Sequence, residues 1–549
     1  MSAPPAEHLR VTNLQEIHPE PPRARRGSAV TTGSPAFSVR AADPAAPLLP
    51  LWAALLIALG SGPVLDAAFP DLGYWPLALP GVALVLLALI GRRNGSALLV
   101  GFVAGCSFYF THIQWASLFL GLVPMSALSI LESLFFAVGS LAITLAYRWL
   151  PRVWPGPLGR VTLLPIVVAG LWTAREAWAS VWPYGGFSWG RVGMSQSDSP
   201  FSPLFAWLGI SGVSFVLVLL VAVTIEVVRA AGIRKLTRAV IPVALATVLL
   251  AIPAWQAAST GDLRVAAVQG NGKAGYFDQR QYGDLLQAQL QATEPLIESK
   301  PKEVDVVLWP EGSSDASPFT DDYTERAFDY VSSELDAPLV TWAVTQRGDL
   351  TYNTSLLWSA GEGALDYYDK KHPVPFGEYI PDRAFWRPFA PDLIDLIGRD
   401  YTPGTTDMVF DVNGVTVGIN ICFDIVDDQL LTESVEEGAQ VIFASSNNAD
   451  FGRTDESAQQ LAIARIRAIE LGRSVVNIST VGLSAVIAPD GSIVQQLPWY
   501  EAGTMVQDVE LRDTVTPAVL LGRQLEWLVS AFALAAVVIA GLAVRKKRR

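Results

Sequence analysis

Cysteine and histidine are scarce in this chain of 549 residues, which has only 2 cysteines and 4 histidines. Cys106 lies in an apolar segment and Cys422 in a water-soluble stretch, so the two cannot build a disulfide framework. The four scattered histidines form no ligand cluster for zinc or iron. No glycine-rich phosphate-binding loop is evident either. We therefore expect no metal and no other cofactor.

Charged residues are also few, at 17% of the chain, and the formal net charge is −13. An acidic protein repels the phosphate backbone of nucleic acids, so a nucleic-acid partner is not expected. Hydrophobic residues make up 51% of the chain, which is too many for an ordinary soluble enzyme of this length. Because this excess is concentrated in blocks, the composition indicates a membrane protein.

Eight stretches of about 18 to 25 mostly apolar residues are candidate membrane spans. Their centres lie near Leu56, Val85, Cys106, Ala137, Val168, Val216, Ala246 and Val537. They predict a seven-helix transmembrane domain over residues 47–257 and a C-terminal transmembrane helix over residues 524–544. Residues 1–46 are rich in Pro, Ala and Arg without apolar periodicity, and we expect them to form a disordered tail.

Lys and Arg occur in every second connection between these spans. The basic positions are Arg92 and Arg93, then Arg148, Arg152 and Arg160, then Arg229, Arg234, Lys235 and Arg238, and finally the tail over residues 545–549. Basic loops favour the cytoplasmic side of a membrane. The pattern therefore predicts that both termini are cytoplasmic and that the region between the seventh and eighth spans faces outward.

That outward region, residues 258–515, alternates short β-branched runs with longer helical ones, which predicts an α/β domain. Three segments are typical of helices: residues 284–299, 322–335 and 455–472. Eight are typical of strands: LRVAAVQGN, VDVVLWPE, PLVTWAV, TSLLWSA, GVTVGINICF, VIFASSN, SVVNIST and SAVIAP.

Cys422 ends one of these strands, where a thiol is well placed to act as a nucleophile, although a lone cysteine there is more often a small buried hydrophobe. Glu311 follows another strand and a proline, and partial burial would raise its pKa toward that of a general base. A solvated loop acid is the simpler alternative. Lys370 and Glu378 bracket a loop restricted by two prolines, which is otherwise an ordinary charged turn.

Glu, Lys and Cys make a coherent catalytic set. The carboxylate would take the thiol proton, the ammonium would lower the thiol pKa and stabilise an oxyanion, and the thiolate would form an acyl-enzyme. His372 is an alternative activating base for the thiol, but it lies in a proline-bounded loop, where capping or loop hydrogen bonding is preferred.

The motifs LWPEGS, YDKKHPVPFGEYIP, GINICFDIV and SAVIAPDGS, in this order, resemble those of the carbon-nitrogen hydrolase (nitrilase) family. Together with seven upstream spans and one downstream span, they resemble its membrane branch, the bacterial apolipoprotein N-acyltransferases. The resemblance implies an αββα sandwich outside the cell membrane. It also implies that Glu311 is the base, Lys370 the oxyanion lysine, Cys422 the nucleophile and Glu378 a second essential acid.

Two positions depart from the family pattern, which has Tyr and Glu directly after the nucleophile. This chain has Phe423 and Asp424 there, so any hydrogen-bonding role of those positions in relatives is in doubt. Lys371 stands beside Lys370, and on physical grounds either lysine could reach the site.

The membrane part also contains polar and aromatic residues that need an explanation. The aromatic loop around Trp182, Phe187 and Trp189 would emerge on the side of the catalytic domain, either as an interfacial aromatic belt or as a guide for substrate. Arg175 and Glu176 in the fifth span either pair with each other or line a lipid portal. Glu132 poses the same question without an evident partner.

The resemblance implies a fatty-acyl transfer from a membrane phospholipid, through a Cys422 thioester, to the N-terminal amine of a diacylglyceryl-cysteine lipoprotein. Two alternatives are a membrane-tethered amidase that hydrolyses small amides, and a transporter or scaffold without catalysis. Some relatives carry or associate with a polyprenol-phosphate mannose synthase. Because the basic run RKKRR directly follows the last span, we expect no fused glycosyltransferase, and association with such an enzyme remains open.

Overall fold

The protein is represented by a computed structural model that describes residues 46–230, 235–299, 301 and 303–547. The predicted tail over residues 1–45, Arg234 and the last two arginines of the basic tail lie outside the described residues.

Each of the eight predicted span centres falls on a separate helix of the described chain. These helices are α1 (Leu51–Asp66), α2 (Ala78–Leu89), α3 (Asn94–His112), α5 (Leu122–Val153), α6 (Leu164–Ala179), α7 (Phe205–Arg229), α8 (Lys235–Leu250) and the C-terminal α15 (Pro517–Lys546), with the short α4 (Ser117–Leu120) before α5. Five segments are long and apolar enough to cross a membrane, namely Asn94–His112, Leu122–Val153, Leu158–Ala179, Ser202–Arg229 and Pro517–Lys546. The helices α1, α2 and α8 are shorter, so the full set of eight spans stays a prediction.

Small residues allow the apolar helices to approach each other closely. A Cβ added at Gly101 of α3 would lie 2.4 Å from the Cβ of Ser140 on α5. Similarly, a Cβ at Gly170 of α6 would lie 2.6 Å from the carbonyl oxygen of Val529 on α15. The C-terminal helix therefore packs into the same bundle as the upstream helices, contacting α5, α6 and α7.

The α/β domain contains two six-stranded sheets. The first has the order β12-β1-β2-β3-β4-β5 and the second the order β11-β10-β9-β8-β7-β6. In chain order the strands are β1 (Gly261–Gln269), β2 (Val306–Leu308), β3 (Leu339–Arg347), β4 (Leu350–Ser359), β5 (Gly363–Asp369), β6 (Val409–Val412), β7 (Val415–Ile421), β8 (Val441–Ser446), β9 (Ser474–Ser479), β10 (Ser484–Ile487), β11 (Ile493–Leu497) and β12 (Gly503–Leu511).

Alternation along the strands explains why two sheets and two helical layers form. Leu263, Val265 and Ala267 of β1 join the core that also contains Ile419 of the second sheet, whereas Ala266 of the same strand joins the core beneath the outer helices. Those helices are α9 (Asp284–Ser299) and α10 (Asp322–Leu335). A sheet that is apolar on both faces needs cover on both sides.

On the second sheet the cover comes from α13 (Asp428–Glu436) and α14 (Asp455–Leu471), and α14 also contacts the membrane helices α7 and α15. The short helices α11 (Arg383–Trp386) and α12 (Pro391–Ile394) lie in the connection between the two sheets. The expected αββα sandwich is therefore present. All eight predicted strands and all three predicted helices are confirmed, whereas β5, β6, β11 and β12 were not predicted.

Candidate active site

Cys422 stands at the sharp turn between β7 and a 3₁₀ turn over Cys422–Val426. Its φ angle is +52°, which lies in the left-handed region that a non-glycine residue rarely adopts. The amide group of Gln460 on α14 donates a hydrogen bond to the Cys422 carbonyl oxygen at 3.3 Å. Such backbone strain persists only where the surroundings enforce it, and it is frequent at functional sites.

Glu311 reaches the same place from the first sheet. Pro310 follows the end of β2, and the hydroxyl of Thr480, at the end of β9, donates to the Glu311 carbonyl oxygen across the two sheets. The Glu311 side chain is buried, which raises its pKa to about 7, although Lys370 opposes the shift. Cys422 is an electrostatic neighbour of this carboxyl group. Glu311 can therefore gain and lose a proton near neutral pH close to the thiol.

Lys370 directly follows β5 and is 1% exposed. Its Nζ donates to Glu378 Oε2 at 2.8 Å. Burial opposes the charge of this ammonium group, but Glu378, Cys422 and Glu311 together raise its pKa well above the usual value. Glu378 Oε2 also accepts a hydrogen bond from the Val374 N–H at 2.6 Å. The proline-rich loop thus holds a charged ammonium group near Cys422 and Glu311.

The Cys422 thiol has a pKa raised well above its ordinary value, first because the site is desolvated and then because Glu311 lies beside it. Lys370 acts in the opposite direction but does not outweigh these two causes. Lys370 therefore lowers the thiol pKa, as expected, while the net shift from burial and Glu311 favours the protonated thiol. A thiol that stays protonated can act as a nucleophile only with a neighbouring base.

Asn353 is a part of the site that the sequence reasoning missed. It lies on β4, and its amide Nδ2 donates to Glu311 Oε1 at 3.0 Å and to Glu378 Oε1 at 2.7 Å. The backbone N–H of Lys370 donates to the Asn353 carbonyl oxygen. The sequence did contain a signal for Asn353, which is a polar amide side chain in the middle of the strand segment TYNTSLLW, at a buried position.

Asp424 lies two residues after the nucleophile and is buried, and its Oδ2 accepts hydrogen bonds from the Ile421 N–H and from the Tyr368 hydroxyl, each at 3.0 Å. Burial raises the pKa of Asp424 to about 6, although Lys370 lowers it. The carboxylate thus fastens the turn after β7 to the end of β5, the two elements that carry Cys422 and Lys370. The shorter acid at this position still makes defined hydrogen bonds.

Phe423 packs against the aromatic loop that connects α6 and α7. Its ring is nearly parallel to those of Phe187 and Trp189, with centroid distances of 6.1 Å to each. Ser188 Oγ donates to the Val426 carbonyl oxygen at 3.0 Å, and Arg191 pairs with Asp428 at the start of α13. A loop from the membrane domain therefore forms one wall beside the nucleophile turn, and Trp189 belongs to that wall.

Two of the weighed alternatives lie away from the thiol. Lys371 Nζ is directed to Glu433 of α13 at 3.5 Å, so Lys370 is the lysine of the site. His372 is half-exposed and its Nδ1 pairs with Asp427 Oδ2 at 2.7 Å. This hydrogen bond raises the pKa of His372 and holds the loop against the residue that caps α13. This contact agrees with the preferred interpretation, in which His372 makes a hydrogen bond within the loop and does not activate the thiol.

Arg175 and Glu176 are paired inside the bundle, with Nη2 and Oε1 3.1 Å apart. Glu176 Oε1 also accepts hydrogen bonds from the Trp172 indole and from the Val192 N–H. Glu132 is buried and has Tyr109 and Arg175 as electrostatic neighbours. Pairing therefore accounts for Arg175 and Glu176, and their cluster anchors the loop that carries Trp189.

Among the residues that the structure describes, no group of three or more His, Cys, Asp or Glu side chains is arranged to hold a metal ion. The groups that the structure brings together at this site are the Cys422 thiol, the Glu311 and Glu378 carboxyl groups and the Lys370 ammonium group.

Comparison with known proteins agrees with this two-part architecture. The family described as apolipoprotein N-acyltransferase N-terminal domain matches residues 61–223, and the carbon-nitrogen hydrolase family matches residues 264–516. The Nesterenkonia AN1 amidase of the nitrilase superfamily is 15% identical, with a TM-score of 0.36, and the match covers 50% of this chain and 100% of that one.

Two curated relatives match nearly the whole chain. The apolipoprotein N-acyltransferase of Mycolicibacterium smegmatis is 31% identical over 96% of this chain and 90% of its own length. That of Azotobacter vinelandii is 30% identical over 91% of this chain and 96% of its own length. With an apolar helical bundle, a carbon-nitrogen hydrolase domain and full-length relatives of this kind, the chain belongs to the apolipoprotein N-acyltransferase family.

Proposed function

We propose that this protein transfers a fatty-acyl chain from a membrane phospholipid to the N-terminal amine of a diacylglyceryl-cysteine lipoprotein, with Cys422 as the covalent carrier. The observation that carries the proposal is that Cys422, the buried Glu311 carboxyl group and the buried Lys370 ammonium group lie close enough to shift one another's pKa values. Glu311 is the base, Lys370 the oxyanion-stabilising cation and Glu378 the acid that holds Lys370.

In the first half-reaction, Glu311 takes the thiol proton and the sulfur attacks the ester carbonyl carbon of the phospholipid. The carbonyl oxygen becomes an oxyanion, which the Lys370 ammonium stabilises. When the intermediate collapses, the carbon–oxygen ester bond breaks and the proton held by Glu311 passes to the leaving alkoxide. A lysophospholipid leaves and a Cys422 thioester remains.

In the second half-reaction, the lipoprotein's α-amine attacks the thioester carbon. Glu311 accepts a proton from the attacking nitrogen, the carbon–sulfur bond breaks, and the thiolate is protonated. The products are an N-acylated lipoprotein and the free enzyme. Each proton released is used again, so the cycle needs no external oxidant, reductant or cofactor.

The helical bundle would place the site at a membrane, which suits the proposed reaction because both substrates carry acyl chains. The aromatic wall of Phe187, Trp189 and Phe423 supports this view, since it joins a loop between apolar helices to the nucleophile turn. An apolar surrounding excludes water and so favours the amine over hydrolysis. We place the α/β domain on the outer face of a bacterial cytoplasmic membrane, with both termini in the cytoplasm.

The decisive experiment is intact mass spectrometry of the purified full chain after incubation with phospholipid, for the wild type and Cys422→Ala. We expect one added fatty-acyl mass on the wild type and none on the variant. A diacylglyceryl-cysteine peptide should then remove the adduct and become N-acylated.

Discharge of the adduct to water alone would favour the membrane-tethered hydrolase, in which the same triad uses water as acceptor. Absence of any adduct, together with full complementation by Cys422→Ala in cells, would favour a non-catalytic transporter or scaffold. Association with a polyprenol-phosphate mannose synthase stays a separate prediction, testable by co-purification.

A further inference from the structure

A small cavity lies between the membrane segments and α14, and Trp189 is one of its lining residues. It gives the centre of a water molecule about 10 Å³ of free space, which is about the size that one buried water needs. Its lining includes apolar side chains and two polar ones, among them Phe69, Met194, Ile463, His112 and Gln459.

His112, the last residue of α3, contributes one unpartnered ring nitrogen. The side chain is 1% exposed, and its Nδ1 lies 2.9 Å from Asp66 Oδ1 of α1. Because the carboxylate accepts from Nδ1–H, a neutral ring presents Nε2 as a hydrogen-bond acceptor. Among the described residues Nε2 has no partner, although the ring lines the cavity. The Phe108 ring stacks on the imidazole, with centroids 4.8 Å apart, and fixes its plane.

Gln459 of α14 contributes the complementary group. Its Oε1 accepts hydrogen bonds from the indole N–H of Trp189 at 2.6 Å and from that of Trp115 at 3.3 Å. With the oxygen thus assigned, the amide Nε2 is a buried donor that lacks a partner within the described chain. Gly190, at φ +86°, keeps the space open, since a Cβ there would come within 3.5 Å of His112 Nε2.

We propose that this cavity binds one water molecule, which accepts a hydrogen bond from Gln459 Nε2 and donates one to His112 Nε2. The donor and acceptor are of opposite kind, both are buried in an otherwise apolar cavity, and a buried polar group without a partner is costly. A water satisfies both atoms at once, whereas an apolar occupant would satisfy neither.

The water makes His112 and Gln459 positioning residues for the proposed acyl transfer. It completes a chain from Asp66 through His112 and the water to Gln459, which holds the Trp189 ring. That ring in turn packs against Phe423, the neighbour of Cys422. The water-bridged contact between His112 and Gln459 thereby fixes the position of the helices α1 and α3 relative to the aromatic wall of the active site.

The water itself is tested by an experimental structure of the full chain in detergent or nanodiscs, at a resolution that shows ordered solvent. We expect a single density peak within hydrogen-bonding distance of both His112 Nε2 and Gln459 Nε2. An empty cavity, or elongated density from a lipid or detergent group, would overturn the proposal.

The positioning role is tested by a double-mutant cycle of His112→Phe and Gln459→Met, with the rate of Cys422 acylation as the readout. Gln459→Met removes the donor to the water together with the acceptor for the two indoles, and His112→Phe keeps an aromatic ring without Nε2. We expect each single variant to acylate about tenfold more slowly than the wild type, or more slowly still for Gln459→Met. The double variant should be no slower than Gln459→Met alone, because the bridge is already lost in that variant.

Leu217→Met is the matched control, since Leu217 is a buried apolar residue of α7 that does not line the cavity, and this variant should acylate like the wild type. Additive losses in the double variant, or singles indistinguishable from Leu217→Met, would refute the bridging role. This inference rests on the proposed function for its readout, and the two can fail separately. Absence of acylation in the wild type refutes the function, whereas normal acylation in both singles refutes the inference.

Discussion

Asn353→Leu should move the pH dependence of acylation to higher pH without abolishing the reaction. Only the carboxylate form of Glu311 can take the thiol proton, so the rate of thioester formation should rise with pH through the pKa of this group. In the wild type, burial places that pKa at about 7. Asn353 lowers it, because its amide donates a hydrogen bond to the carboxylate at 3.0 Å.

The size of the shift follows from the hydrogen bond that is lost. A hydrogen bond to a charged group contributes about 1.5 kcal/mol at the low end of its range, and 1.36 kcal/mol corresponds to one pKa unit. Leucine has a similar volume but no donor, so the midpoint should rise from about 7 to about 8. At pH 7 the carboxylate fraction then falls from about one-half to about one-tenth, and acylation slows about fivefold. At pH 9 the two rates should converge.

The assay is the initial rate of acyl-adduct formation by intact mass spectrometry, from about pH 5 to about pH 9, at saturating phospholipid. Trp342→Phe is the control, because Trp342 donates to Asn353 Oδ1 and touches neither carboxyl group. Its profile should match that of the wild type. An unchanged midpoint in Asn353→Leu, or a loss that high pH does not restore, would refute the assignment of Glu311 as the base.

Three further substitutions test other contacts of the site. Glu378→Gln should lower the free energy of unfolding by about 3 kcal/mol, because it leaves the buried Lys370 ammonium group without its ion-pair partner. Thermal or chemical denaturation measures this change, and a smaller decrease in the free energy of unfolding would contradict the prediction. Asp424→Asn should keep the acylation rate within about threefold of the wild type, since an amide oxygen can still accept a hydrogen bond from the Ile421 N–H. Asp424→Leu should lower the acylation rate more than about tenfold. Equal rates in the two variants would be inconsistent with the hydrogen-bonding role of Asp424. His372→Gln should leave the acylation rate within about twofold and its pH midpoint unshifted, since His372 pairs with Asp427 rather than with the thiol, and a displaced midpoint would reopen the alternative base.

How far the sequence predicted this site depends on the range of each interaction. Glu311 and Cys422 were predictable because each follows an apolar strand, and strand ends meet at one edge of a sandwich. Asn353 could not be found in this way, since its importance comes from standing between the ends of two other segments 42 and 25 residues away. The choice between Lys370 and Lys371 likewise depends on contacts beyond the local sequence, since Lys370 pairs with Glu378 whereas Lys371 is directed to Glu433 of α13.

The same limit applies to the fold and to the aromatic wall. The strand β12 pairs with β1 from the other end of the domain, Gly261 with Leu511, and no local pattern carries that register. Trp189 and Phe423 each stood out in the sequence, one as an interfacial aromatic and the other as a departure from a motif. Their stacking joins segments more than two hundred residues apart, which periodicity does not reveal.

The charges of the site explain why three acids surround one lysine. Lys370 interacts with Glu378, Glu311 and Asp424, so not all three carboxyl groups can be ionised in a desolvated space around a single ammonium group without cost. Glu378 makes the direct ion pair with Lys370 and accepts hydrogen bonds from the Asn353 amide and the Val374 N–H. Glu311 has no such pair, and its pKa of about 7 leaves it the group able to exchange a proton at neutral pH. In the proposed mechanism, Glu311 takes the thiol proton, and the negative charge passes from Glu311 to the sulfur and then to the oxyanion, always beside the same lysine. The proposed reaction would therefore move one charge within a site whose net charge stays constant. In such an arrangement a buried cation stabilises the transition state rather than the resting thiol.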